Sequence, residues 1–260
     1  MPRKERIEYA GARYHIISRG NYRKDLFSDR KTGEAFEAAL FEVVARCGWR
    51  LYAYVIMVNH YHLAVETPQS NLVAGMKWIQ STFATRFNRF RGERGHVFQG
   101  RYKSILLDED RSLLGLINYI HLNPVRARLC TIDALKTHTL SSYPKYWARK
   151  PVAGLQRAAM LSLVDLPNSL AGMRNYEDYL KLSEEADRKR WDELHSNYCR
   201  GWYMGSSSAR KALAKQLAAD HPDVRWSGAD LHEINEEKWE SIVVSELKRR
   251  KKNESDVVTA

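Results

Sequence analysis

The sequence predicts an α+β fold: a four-stranded antiparallel sheet of ferredoxin-like (split βαβ) topology plus an added helix, followed by a mostly helical C-terminal extension. Three observations predict it. Short runs rich in β-branched and aromatic residues read as strands. Between them, apolar residues recur at helical spacing. Up to Pro124 the order is strand, helix, strand, strand, helix, strand, helix, which is the split βαβ order with one helix added.

The first strand is Arg13-Tyr14-His15-Ile16-Ile17-Ser18, and the polar, cationic stretch Arg19-Gly20-Asn21-Tyr22-Arg23-Lys24 follows as a loop. Asp29 can cap a helix to about Arg46, with Phe36, Leu40, Val43 and Val44 on one face and Gly48 past its end. Two apolar runs, Trp49 to Val58 and Leu63 to Glu66, flank Asn59-His60-Tyr61-His62 and read as a strand pair. Pro68, Ser70 and Asn71 turn the chain into a helix on which Leu72, Met76, Ile79, Phe83 and Phe87 recur. Gly100 to Leu107 reads as the fourth strand. Asp108-Glu109-Asp110 then suits the N-terminal dipole of a helix from about Ser112 to Leu122, which Pro124 is expected to stop.

Composition narrows the partners. Of 260 residues, 44% are hydrophobic and 28% charged, which suits one or two globular domains with a sizeable core. The net charge is +11, and residues 1–150 carry 25 Lys and Arg against 13 Asp and Glu, whereas residues 151–260 carry 17 against 18. The excess therefore lies with the histidine-bearing part, and a polyanion is the fitting partner. Cys47, Cys130 and Cys199 match no disulfide framework or zinc spacing, so a reducing cytoplasm is expected. No apolar run reaches the roughly 20 residues that span a bilayer, and no signal core follows Met1 to Arg6.

In a strand, residues two apart share a face, so His60 and His62 present two imidazoles side by side, a natural start for a divalent metal site. The competing reading packs one in the sheet and turns the other to water. Tyr119 and Asn123 share a helix face four residues apart. They can bring a phenol and an amide oxygen toward the histidines, or serve as a core aromatic and a helix end. From Lys77 to Lys103 the chain carries Arg86, Arg89, Arg91, Arg94 and Arg101, opposed only by Glu93, with Phe90, His96, Phe98 and Tyr102 interleaved. That mixture suits phosphate contact and base stacking on single strands, or a solvated helix end and loop. Tyr102 is expected to stack on a base, and Tyr61 to point to the opposite face from the histidines.

Five stretches in order then carry a resemblance over residues 9–147: Tyr14 to Asn21, Ala53 to Leu63, Gly95 to Lys103, Tyr119 to Ala127, and Ser141-Ser142-Tyr143. They resemble the single-tyrosine transposases of the HUH endonuclease superfamily, most closely the REP-associated tyrosine transposases of bacterial chromosomes. The resemblance implies that His60 and His62 are paired ligands of Mg2+ or Mn2+, with Asn123 in the place where related enzymes carry a glutamine ligand. It implies that Tyr119 is the nucleophile that breaks single-stranded DNA at hairpin-flanked sites, leaving a 5′-phosphotyrosine bond and a free 3′-hydroxyl. DNA contacts are expected at Arg19, Asn21, Arg23, Arg86, Arg89, Arg101, Lys103 and Arg126, on a monomer or homodimer. Val58 stands where the family usually has proline, and Arg128 where a glycine commonly follows. A hairpin-binding protein without cleavage, and a metal phosphodiesterase using activated water, are the alternatives.

The boundary is expected near Trp147-Ala148-Arg149-Lys150-Pro151, separating a catalytic domain at 9–147 from an extension at 148–260. Tyr176 to Leu194 and Ala209 to Ala219 read as charged helices around Gly201-Trp202-Tyr203-Met204-Gly205. The run Lys248-Arg249-Arg250-Lys251-Lys252 reads as a solvated tail.

Overall fold

The computed structural model describes residues 6–220 and 234–237; the basic run at 248–252 lies outside them. One compact unit, Glu8–Met204, holds a five-stranded sheet in the order β2-β3-β1-β4-β5. The strands are β1 (Ala12–Arg19), β2 (Arg50–Ile56), β3 (His60–Thr67), β4 (Lys103–Leu107) and β5 (Tyr203–Met204). The first four pair antiparallel in the expected split βαβ arrangement. The expected four-stranded sheet gains one strand, because two residues of the Gly-Trp segment add parallel to β4. So short a strand leaves no periodic signal in the sequence.

Helices α1 (Arg30–Cys47) and α2 (Leu72–Arg91) cover one face of the sheet. Asp29 caps α1 by accepting from the Lys31 amide, and Gly48 closes it at φ +66°. Phe36 of α1 lies 4.4 Å from the Tyr61 ring and 5.2 Å from Phe83 of α2. Tyr61 is thus on the helix-covered face, as alternation requires. Phe98 joins this cluster, 6.1 Å from Tyr61, and Tyr102 is buried as well. The stacking role expected for Tyr102 is therefore corrected: its ring turns inward just before β4 begins, while Arg101 stays exposed.

The other face carries α3 (Asp110–Arg126), whose Leu116, Ile117 and Ile120 are wholly buried. Pro124 does not stop this helix but sits within its last turn. Proline's φ is helical, and its missing amide sacrifices one bond near an end where the ladder is already closing. Past α3 come α4 (Ser142–Lys145), α5 (Arg157–Ser162), α6 (Leu170–Asp187) and α7 (Trp191–Cys199). Tyr176 of α6 donates to Asn118 at 2.9 Å and meets His121 Nδ1 at 2.9 Å, tying α6 onto α3. Residues 148–204 thus pack as part of the sheet unit, although composition sets them apart. In the second unit, α8 (Ser207–Asp220) buries Ala214, Leu217 and Ala218. No helix among the described residues is long and apolar enough to cross a membrane.

Candidate active site

Register decides which side chains meet on the α3 face. Antiparallel pairing sets Arg19 opposite His60, Ile17 opposite His62, and Lys103 opposite Ile17. Directly opposed residues point to the same face, so His60, His62, Arg19 and Lys103 share one side with His15. His60, His62, Arg19 and Lys103 line a cavity of about 370 Å³, together with Arg101, Gln99 and, from beyond α6, His195, Cys199 and Arg200. Two imidazoles flanked by this many cations and no carboxylate make a pocket for an anion.

The histidines form a chain whose proton positions follow from one fixed end. His15 Nδ1 lies 2.8 Å from the Tyr198 carbonyl, which can only accept, so this nitrogen carries the hydrogen. Burial holds the His15 pKa down to about 3, so the ring is neutral and its Nε2 is a lone pair. His62 Nδ1 lies 2.9 Å from that Nε2 and must donate to it. His62 Nε2 is then also a lone pair, buried and without a hydrogen-bond partner. Burial and the neighbouring His60 push the His62 pKa well below its ordinary value. His60 is neutral too, its pKa lowered to about 4 by burial and then by Arg19, and its Nδ1 meets Asn59 Oδ1 at 2.8 Å. The two rings stand 5.0 Å apart on the cavity wall.

Tyr119 projects from α3 against this pair, with its ring 5.6 Å from His62 and 6.1 Å from His15. Its hydroxyl meets His195 Nδ1 at 2.8 Å and Cys199 Sγ at 3.2 Å, two residues four apart on α7. The Tyr198 ring lies 4.7 Å away, and Arg126 covers another side at 4.6 Å while donating to the Trp191 carbonyl. Gly115 makes this close packing possible, since a Cβ there would meet the Tyr198 hydroxyl at 2.4 Å. Only 5% of Tyr119 is exposed, and burial raises its pKa, with Arg126 opposing. A neutral, buried phenol is a weak nucleophile.

The expected site residues are brought together only in part. His60, His62, Arg19, Arg101 and Lys103 share the cavity wall; Tyr119 lies just behind it, capped by α7. Asn123 is buried one turn further along α3 and does not line the cavity. Asn21 Oδ1 accepts from the Tyr22 amide, and Arg23 is exposed on the same turn. Arg86 and Arg89 lie on α2, across the sheet, where Arg86 pairs with both Glu42 carboxylate oxygens at 3.1 Å. Arg126 is half-buried under α7.

The donor set suits a divalent ion in one respect: a buried imidazole nitrogen with a free lone pair faces a cavity beside a second neutral imidazole. Among the described residues, no three His, Cys, Asp or Glu side chains are grouped as metal ligands. A metal here would rest on two imidazoles, leaving positions for ligand oxygens. Sequence reasoning missed His15, which alternation along β1 could have placed beside His62. It also missed His195, Tyr198 and Cys199, for which the sequence offers no signal before α7 is folded back.

A family model described as "Transposase IS200 like" matches residues 8–123. No curated protein matches the chain. Among solved structures, it is similar to a REP-associated tyrosine transposase bound to a REP hairpin, at 16% identity and a TM-score of 0.47, covering 60% of this chain and 91% of that one. It is also similar to a protein from Deinococcus radiodurans R1 described as a transposase, at 20% identity and a TM-score of 0.33, covering 42% and 89%.

Proposed function

We propose that the chain, whose residues 8–123 match the IS200-like transposase family, cleaves and rejoins single-stranded DNA at hairpin-flanked sites through Tyr119. The observation that carries this reading is the placement of the Tyr119 ring 5.6 Å from His62, behind a cavity walled by two neutral imidazoles and a ring of cations. Arg19, Arg101 and Lys103 would bind and orient the backbone phosphates there, with Asn21, Arg23 and Arg126 nearby and Arg86 and Arg89 contacting DNA further out. His60 and His62 would hold Mg2+ or Mn2+, and Asn123, which lies off the cavity wall in this structure, would join them as a third donor. The ion, when bound, polarises the scissile phosphate and offsets its developing charge. His15 keeps the His62 lone pair aimed into the cavity.

The Tyr119 oxygen attacks phosphorus, the bond to the 3′ oxygen breaks, and the 3′ oxygen leaves as a hydroxyl after taking a proton from solvent. The 5′-phosphotyrosine bond preserves the linkage for rejoining, when a 3′-hydroxyl attacks and the phenol is released. The phenolic proton passes to solvent once the resting bond from the Tyr119 hydroxyl to His195 Nδ1, 2.8 Å long, has opened. Both bonds from α7 must open before phosphorus comes within reach. This cover is also the observation that favours the second reading, a hairpin-binding protein that does not cut. The catalytic function is assigned to residues 9–147 and its cover to the extension that starts at 148.

A labelled single-stranded hairpin, incubated with Mn2+ and run on a denaturing protein gel, separates the readings. A covalent adduct is expected. Cleavage without adduct means activated water, and binding without cleavage means the second reading.

A further inference from the structure

Two successive residues after β1 take a backbone conformation that their side chains resist. Tyr22 has φ +52° and Arg23 φ +57°. The Lys24 amide donates to the Asn21 carbonyl at 2.9 Å, so the two form the centre of a turn with both residues left-handed, the geometry that Asn-Gly ordinarily supplies. A β-carbon and an aromatic ring are unfavourable there. The surroundings nonetheless over-determine it. Gly20 donates to Asn59 at 2.8 Å and Asn21 to Val97 at 2.9 Å. The Asn21 side chain accepts from the Tyr22 amide at 3.1 Å, and Lys24 pairs with Glu93 at 2.6 Å. Gly20 is required because a Cβ would meet the Lys24 carbonyl at 2.5 Å. Everything in the turn is anchored except its tip, where Tyr22 is 93% exposed.

Strain maintained by so many contacts calls for a use, and a rigid aromatic ring in water costs little entropy to engage. The flanking groups say what it meets. Arg19, three residues before, lines the cationic cavity, and Gln99, whose amide donates to the Arg19 carbonyl at 2.8 Å, lines it as well. Arg23, the next residue, is exposed as well. An exposed aromatic face three residues along the chain from a cationic cavity wall suits an unpaired base, since every base offers a π-face while its phosphate needs a cation.

We propose that Tyr22 is a stacking platform for one unpaired base of the DNA strand that enters the cavity, held ready by a strained turn. This rests on the DNA-processing reading above. The turn also gives the inference a signature of its own: Tyr22→Gly should relieve the backbone while removing the ring, so stability and affinity should move in opposite directions.

The test uses the full chain with a labelled single-stranded hairpin carrying unpaired flanks, in EDTA so that nothing is cut. Tyr22→Gly is expected to melt at a higher temperature yet bind about 5- to 150-fold more weakly, with an unchanged salt slope because no phosphate contact is lost. Tyr22→Phe should bind within about twofold of the parent. Tyr22→Gly binding as tightly as the parent would overturn the proposal, and so would Tyr22→Phe losing as much as Tyr22→Gly. If Tyr22→Gly binds normally while Arg23→Ala is weakened, the DNA reading stands and only the platform falls. If the parent chain itself shows no affinity for the hairpin, the DNA reading falls and takes the platform with it.

Discussion

Replacing His15 with phenylalanine tests the histidine chain at its buried end. The ring is kept, and with it the stacked contact 5.1 Å from His62. What disappears is the Nε2 lone pair that receives the His62 Nδ1 hydrogen, together with the Nδ1–H bond to the Tyr198 carbonyl. His62 then has two choices. It can keep its tautomer and bury an unpaired N–H, which costs about 1–3 kcal/mol. Or it can move the hydrogen to Nε2, which satisfies nothing and points a proton into the cavity where a ligand needs a lone pair. Either way metal affinity falls, and the usual loss on removing such a supporting bond is about 10- to 100-fold. At 1.4 kcal/mol per tenfold, that is roughly 1.4–2.8 kcal/mol, the same size as the unpaired-donor cost. Calorimetric titration of Mn2+ into the DNA-free chain measures it directly. Hairpin affinity in EDTA should stay within about twofold, since His15 is buried and touches no solvent. A manganese affinity equal to that of the parent would refute the tautomer argument.

Three further outcomes follow from the geometry. His195→Ala removes one bond that holds the Tyr119 hydroxyl at rest, a bond worth about 0.5–1.5 kcal/mol net, so adduct formation should accelerate about 2- to 10-fold; a slower rate would show that the imidazole is needed as proton acceptor. His15, His60 and His121 are neutral when folded, their pKa values lowered to about 3, 4 and 3 chiefly by burial. The unfolded chain therefore binds more protons below pH 6.5, and stability is fully present above 6.5 and lost as pH falls toward 4. Each of the three should cost roughly 2 kcal/mol between pH 7 and pH 5, and a melting temperature in EDTA that stays flat over that range would contradict the neutral assignment. Arg128 sits at φ +57° and is exposed, so Arg128→Gly should raise the melting temperature by about 2 °C, the net of 1–2 kcal/mol of relieved strain and about 0.5–1 kcal/mol of added chain entropy; no rise would mean that the Arg128 side chain makes up the difference.

How much was legible in the sequence differed by scale. Alternation and helical spacing are local properties, and they locate β1 to β4, α1, α2 and the start of α3. The face shared by His60 and His62 follows from strand period alone, as does the opposite placement of Tyr61. Aromatic identity is a weaker guide: Phe98 and Tyr102 read as base-stacking residues but are core, because burial there depends on a loop folding under β1. The end of α3 lies past the proline that marks it in the sequence, because proline in a last turn is tolerated. Least legible was α7. His195 and Cys199 reach the Tyr119 hydroxyl from 76 and 80 residues away, and no periodicity connects segments that meet only through tertiary packing. The left-handed Arg128 lies between these cases. Its place in a motif that commonly carries glycine is visible in the sequence, while its backbone angle is not.

Whether Tyr119 is the nucleophile is decided by one paired comparison. The parent chain and Tyr119→Phe are each incubated with a labelled single-stranded hairpin and Mn2+, denatured, digested and mapped. The variant lacks only the hydroxyl, so its fold and manganese affinity should match the parent's. The parent should yield a nucleotide-bearing fragment that contains Tyr119, and the variant neither adduct nor cleavage. An adduct that persists in Tyr119→Phe, or one mapped to a fragment without residue 119, would contradict it.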